Sequence, residues 1–191
     1  MSDRDRQKWN DKYQNTPSLL EVRPPSELLK RFKKNAPGHS AIDLASGTGR
    51  NARYLAQEGF EVDAVDISAV ALERLAKETE GFPIRCLERD LDHFTPEKER
   101  YDLLVMTNFL DRDLIARCAK SMKSGALFLI ETYMDHPQNE KQNSHPDFLL
   151  APQELKHFFN QDFTLLAYKE FWNEPYEIYR MRKEAIVIQK R

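Results

Sequence analysis

The stretch from Ser40 to Ala52, SAIDLASGTGRNA, together with Asp66 at the end of the next apolar run, EVDAVDIS, narrows the possible folds more than any other part of the chain. Ala41-Ile42-Asp43-Leu44-Ala45 is a short apolar run that reads as a buried parallel strand. Gly47 and Gly49 then permit a tight turn whose backbone comes close to a ligand. A helix beginning near Gly49 presents unpaired N–H groups and the positive end of its dipole to polar or anionic ligand atoms, while Ala52 and Leu55 pack on the sheet. At the end of the second strand, the Asp66 carboxylate is placed to accept hydrogen bonds from both hydroxyls of a ribose. A strand, a glycine turn and a helix start of this kind suit an adenosine-bearing cofactor.

The alternation continues downstream. Strands are expected at 40–45, 60–65, 83–88, 101–107 and 126–132, with helices near 50–58, 69–79 and 112–122 between most of them. Ser68 caps the second of these helices. Such a pattern makes a parallel sheet covered by helices, and right-handed crossovers bring Gly47, Asp66, Asp90 and Asn108 to one edge of it. Residues 135–146, DHPQNEKQNSHP, read as a mobile surface loop beside that edge, a candidate lid. Residues 152–160 look helical, and closing strands at 163–170 and 184–189 flank Trp172-Asn173-Glu174-Pro175 with no helix between them, so they are expected to pair antiparallel. Upstream, Asp3 to Gln14 carries Trp9 and Tyr13 four apart on one helix face, and Ser26 is placed to cap a second helix holding Leu28, Leu29 and Phe32. The expected organisation is a single domain, 1–191, with an N-terminal helical cover at 1–38 and a Rossmann-like core at 39–191.

Composition excludes several alternatives. With 191 residues, 40% hydrophobic, the chain supports one sizeable core and is short for two. A formal charge of -2 gives no electrostatic footprint for nucleic acid, and the cluster Lys30, Arg31, Lys33, Lys34 suits a helix C-terminus. Cys86 and Cys118 lack C-x-x-C spacing and read as reduced thiols, and no His, Cys or Asp cluster has metal-site spacing, so no metal is expected. No apolar segment is long enough to span a membrane and MSDRDRQKW lacks the h-region of a signal peptide, which implies a cytoplasmic location.

Two cofactor families share the glycine-turn geometry. Gly47-Thr48-Gly49-Arg50-Asn51-Ala52 satisfies G-x-G-x-x-A, the nicotinamide dinucleotide fingerprint, with Asp66 close to the expected distance downstream. The acid inside the first strand points elsewhere: Asp43-Leu44-Ala45-Ser46-Gly47-Thr48-Gly49 resembles the D-L-G-C-G-x-G motif of class I S-adenosylmethionine-dependent methyltransferases. Trp9-Asn10-x-x-Tyr13, GRNARYLAQEGFEVDAVDIS, and Glu131-Thr132-Tyr133 with FLLAPQEL resemble the tellurite-resistance and thiopurine methyltransferase group. The resemblance implies a mostly parallel seven-stranded α/β sandwich with an antiparallel C-terminal pair, and S-adenosyl-L-methionine as cofactor. It implies that Gly47 and Gly49 contact the methionine end, Asp43 orients its amino group, and Asp66 with Ile67 binds the ribose region. Asp90 and Leu91 fall at the adenine position, Asn108 at the sulfonium region, and Arg112, in Asp111-Arg112-Asp113-Leu114, at a cofactor-contacting arginine. Trp9 and Tyr13 would form a cover. Ala45 stands where the family's first glycine is and Ser46 where cysteine is commoner.

Methyl transfer from a sulfonium is an in-line displacement in which positioning supplies most of the catalysis when the acceptor is soft. An oxygen or nitrogen acceptor needs a base, for which Tyr133, His136 and His145 are the candidates. Met106-Thr107-Asn108-Phe109 lacks the N-P-P-Y type motif of nucleic-acid amine methylation, and no Pro-Cys nucleophile occurs, so a small-molecule acceptor, such as a thiol or a selenium or tellurium compound, is expected. A nicotinamide-dependent oxidoreductase and a non-catalytic cofactor-binding module remain the alternatives.

Overall fold

The computed structural model describes residues 3–141, 145–175 and 177–191. Seven strands form one sheet: β1 (Ser40–Leu44), β2 (Glu61–Asp66), β3 (Ile84–Glu88), β4 (Leu103–Thr107), β5 (Leu127–Tyr133), β6 (Phe163–Trp172) and β7 (Arg182–Lys190). Their order is β3-β2-β1-β4-β5-β7-β6. The first five run parallel, and β7 lies antiparallel to both neighbours. Crossing from β1 to β4 reverses the direction in which the sheet is wound, and the crevice above such a reversal is where open α/β sheets bind ligands.

Helices α1 (Asp3–Asn15), α2 (Glu27–Phe32), α3 (Arg50–Gln57), α4 (Ala69–Glu78) and α5 (Arg112–Ser121) cover the sheet. Each strand alternates its side chains between two layers of core. Ile42, Leu44, Met106, Phe128 and Ile130 pack with Leu114, Ile115 and Cys118 of α5 on one face. Ala41, Val105, Leu127, Leu129 and Val187 pack with Leu28 and Leu29 of α2 and Ala52 and Leu55 of α3 on the other. Both faces are dry, which is why the parallel strands read as continuous apolar runs. Among the described residues no helix is long and apolar enough to cross a membrane.

Three local expectations are corrected. Residues 152–160 do not make a helix of ordinary length; a 3-10 turn, Glu154–Phe158, stands there, entered through Gln153 at φ 63. Ser26 precedes α2 without capping it, because its hydroxyl is drawn instead to Glu131. The fourth strand begins at Leu103, two residues later than expected, and the Tyr101 hydroxyl donates to Asp63 Oδ2 at 2.6 Å.

Candidate active site

The turn after β1 is built from left-handed backbone: Ala45 at φ 55, Gly47 at φ 54 and Gly49 at φ 78. Glycine enters that region freely, whereas an alanine there costs roughly 1 kcal/mol. A Cβ on Gly47 would lie 2.5 Å from the Tyr13 hydroxyl, so only glycine lets α1 close over the turn. Two carboxylates hold the turn from below. Asp66 Oδ2 accepts from Gly47 N at 2.8 Å and Oδ1 accepts from Ser68 N at 2.9 Å. Asp43 Oδ2 accepts from Ala52 N at 3.1 Å, inside the first turn of α3. Asp43 Oδ1 is buried and has no hydrogen-bond partner among the described residues. Burial raises the Asp43 carboxyl to about 7 against the pull of Arg50, and burial raises Asp66 as well. A half-bonded carboxylate in a dry place is costly unless a donor or cation arrives to meet it.

Helix α1 lies over this turn with none of its residues fully buried. It is held at its ends and middle by polar contacts. Asn10 Oδ1 accepts from Ser68 Oγ at 2.7 Å and from Val70 N at 3.4 Å, while Ser68 Oγ accepts from Ala71 N at 3.2 Å and so caps α4 as expected. Arg6 reaches Glu88 at 3.2 Å. The rings of Trp9 and Tyr13 are 6.0 Å apart, and burial with the nearby Asp66 charge raises the Tyr13 hydroxyl well above its ordinary value.

The remaining expected residues divide. Ile67 is buried directly after β2, and Asn108 is exposed after β4 at φ 58, its N–H donating to Glu131 O at 2.8 Å. Asp90 Oδ1 accepts from Asp92 N at 3.0 Å, which closes a local turn. The Leu91 side chain is in the core beneath α5, and its carbonyl accepts from Arg117 at 2.7 Å. Arg112 is the first residue of α5. Its guanidinium grips Glu154 through two bonds, at 2.6 Å and 3.0 Å, and donates to the carbonyls of Asp147 and Leu149, so it ties down the segment before β6.

The base candidates also change meaning. The Tyr133 hydroxyl donates to Glu177, and burial with that neighbouring carboxylate holds it protonated far above the usual tyrosine range. His136 stacks edge-on against Trp172 at 5.2 Å, and its Nδ1 accepts from Gln138 N at 3.2 Å. His145 is exposed, with Nδ1 accepting from Asp147 N at 3.4 Å. The start of the expected mobile loop is anchored rather than free: Asn139 is buried, donates to Met134 O at 2.9 Å and accepts from Arg182 N at 2.7 Å. Residues 142–144 of that loop lie outside the described residues.

Beside the turn stands a buried polar cluster that motif reasoning passed over. Ser26 N donates to Asn51 Oδ1 at 3.1 Å, Asn51 Nδ2 donates to Thr107 Oγ1 at 3.0 Å, and Ser26 Oγ donates to Glu131 Oε2 at 2.7 Å. Lys183 is fully buried, with Nζ 2.7 Å from Glu177, 3.2 Å from Glu174 and 3.6 Å from Glu131. Arg50, the first residue of α3, approaches Glu131 to 3.9 Å, and neither facing atom makes a hydrogen bond. The sequence signal was charge inside apolar strands, Glu131 in LFLIETY and Lys183 in RKEAIVIQK.

A family model described as a methyltransferase domain matches residues 41–125, which carry β1 through α5. The probable S-adenosyl-L-methionine-dependent methyltransferase TehB of Haemophilus influenzae is 30% identical over 143 residues, covering 70% of this chain and 49% of that protein. The sarcosine/dimethylglycine N-methyltransferase of Aphanothece halophytica is 29% identical over 118 residues, covering 56% of this chain and 43% of that protein. The chain therefore spans less than half the length of either curated relative. The crystal structure of TehB from Haemophilus influenzae superposes with a TM-score of 0.76 at 23% identity, over 97% of this chain and 67% of that one. The chain thus has the fold of the class I S-adenosylmethionine-dependent methyltransferases and, among them, resembles the tellurite-resistance group.

Proposed function

We propose that this chain transfers a methyl group from S-adenosylmethionine to a small-molecule acceptor. The observation that carries the reading is Asp43, a buried carboxylate against the glycine turn with one oxygen bonded to α3 and the other without a partner among the described residues. The second oxygen, with the Asn51 side chain as its polar neighbour, fits the ammonium of an amino-acid-like cofactor end. When bound, the cofactor supplies a sulfonium methyl open to in-line attack. Asp43 would hold the amino group, Asp66 would accept from the ribose hydroxyls, and Trp9 and Tyr13 of α1 would cover the turn and keep water from it. Catalysis then rests on holding two reactants in line, worth up to about 7–11 kcal/mol where the alignment is good. The name of the TehB relative supports the cofactor, and the lack of base-methylation motifs supports a small acceptor.

Calorimetric titration with S-adenosylmethionine, S-adenosylhomocysteine and NADH tests the reading. The first two bind and the third does not, and Asp66→Ala weakens both while the far-ultraviolet dichroism stays native. Binding of NADH alone would replace this reading with an oxidoreductase.

A further inference from the structure

We propose that Tyr133 and Glu177 form a proton relay that removes the proton of a neutral acceptor as it is methylated, with Lys183 holding Glu177 in place. This rests on the methyl-transfer reading above. Tyr133 ends β5 at the ligand edge of the sheet, two residues beyond Glu131 and on the same face. Its hydroxyl donates to Glu177, so the oxygen has only lone pairs left to offer and accepts from an X–H group. Lys183 Nζ is 2.7 Å from the other oxygen of Glu177 and 5.1 Å from the Tyr133 ring centroid, which fixes both partners. Arg50 connects the pair to the cofactor side, since the same side chain reaches Glu131 at 3.9 Å and leaves the glycine turn at the head of α3.

Geometry makes Glu177 the group that receives the proton, since it already accepts the Tyr133 hydroxyl. Three carboxylates, Glu131, Glu174 and Glu177, surround one ammonium, and Arg50 is the second cation at the cluster. The cluster carries one negative charge more than its two cations balance. The acceptor atom bonds to the methyl carbon while the carbon–sulfonium bond breaks, its electron pair staying on sulfur. The acceptor's proton passes to the Tyr133 oxygen as the Tyr133 proton passes to Glu177, which ends as a neutral carboxylic acid and later loses that proton to solvent. Tyr133 is never ionised in this sequence, in keeping with an environment that disfavours tyrosinate.

Two thiols of similar size separate a relay from a scaffold: phenylmethanethiol keeps its proton at neutral pH and 4-nitrothiophenol is ionised. In Tyr133→Phe and Glu177→Gln, transfer to phenylmethanethiol falls by about 100-fold, the usual contribution of a positioned acid–base group, whereas transfer to 4-nitrothiophenol falls by about threefold or less. With the protein loaded with S-adenosylhomocysteine, phenylmethanethiol binds Tyr133→Phe about fivefold more weakly than wild type, the loss of one hydrogen bond. Affinity for S-adenosylmethionine stays within about twofold in both variants, a control for folding. Equal losses for the two thiols make the pair structural and overturn the relay, as does no loss for either or a loaded wild type that methylates neither. A wild type that binds no S-adenosylmethionine instead fails the underlying reading. If Tyr133→Phe does not fold, Glu177→Gln alone decides between these outcomes.

Discussion

Asp43 shows how one side chain is tuned by where the chain places it. Its carboxyl ordinarily titrates near 3.8 and is raised to about 7 in the folded protein by burial, with Arg50 pulling the other way. A raised folded value means the group favours folding below its unfolded pKa, and that contribution fades as pH rises toward 7. Wild type should therefore lose stability relative to Asp43→Asn between pH 5 and pH 7.5, by about 2–3 kcal/mol at most, in urea unfolding of the two proteins. A constant difference across that range would mean the carboxylate is charged at little cost. The residue was legible from its place inside an apolar strand before a glycine turn. Its half-satisfied state was not, because that depends on where α3 sets the N–H of Ala52. The partner of Arg112 was hidden for the same reason: flanking acids in the sequence gave no hint of Glu154, 42 residues away.

At the scale of elements, the parallel strands and their helices were legible because strands buried on both faces leave unbroken apolar runs. Helix α1 was legible through Trp9 and Tyr13, but not what holds it, which is a hydrogen bond from Ser68 to Asn10 across 58 residues. With no fully buried residue of its own, α1 depends on that contact, the Arg6–Glu88 pair and the seat of Tyr13 on Gly47. Asn10→Ala should free it locally. Hydrogen exchange should show amides of α1 losing about 1–2 kcal/mol of protection while β1, β4 and β5 keep theirs. Equal loss in the strands would make α1 part of the core's cooperative unit instead. The segment at 152–160 was read as a helix because composition cannot reveal the left-handed Gln153, nor the bond from Leu155 N to Glu184 at 2.9 Å that fixes a short turn there.

For the molecule as a whole, the buried charges join pieces far apart in the chain: the segment before α2, the head of α3, the end of β5 and the β6–β7 connection. Removing the ammonium leaves three carboxylates facing one another, so Lys183→Met should cost about 3–5 kcal/mol of unfolding free energy in denaturant titration. Adding Glu177→Gln should restore part of it; a neutral single variant would show that the cluster is more hydrated than its burial indicates. The sheet order carries a further consequence for how the chain reaches this state. β6 precedes β7 in sequence but pairs with it alone, and β7 completes the sheet against β5. During folding the two must meet first as a hairpin and dock together, late, since the β5 pairing closes a long loop. Until then β5 and the hairpin's β7 each offer an open edge, beside a β6 bearing Leu165, Phe171 and Trp172, which makes crowded refolding, rather than heating of the native protein, the condition under which this chain should aggregate.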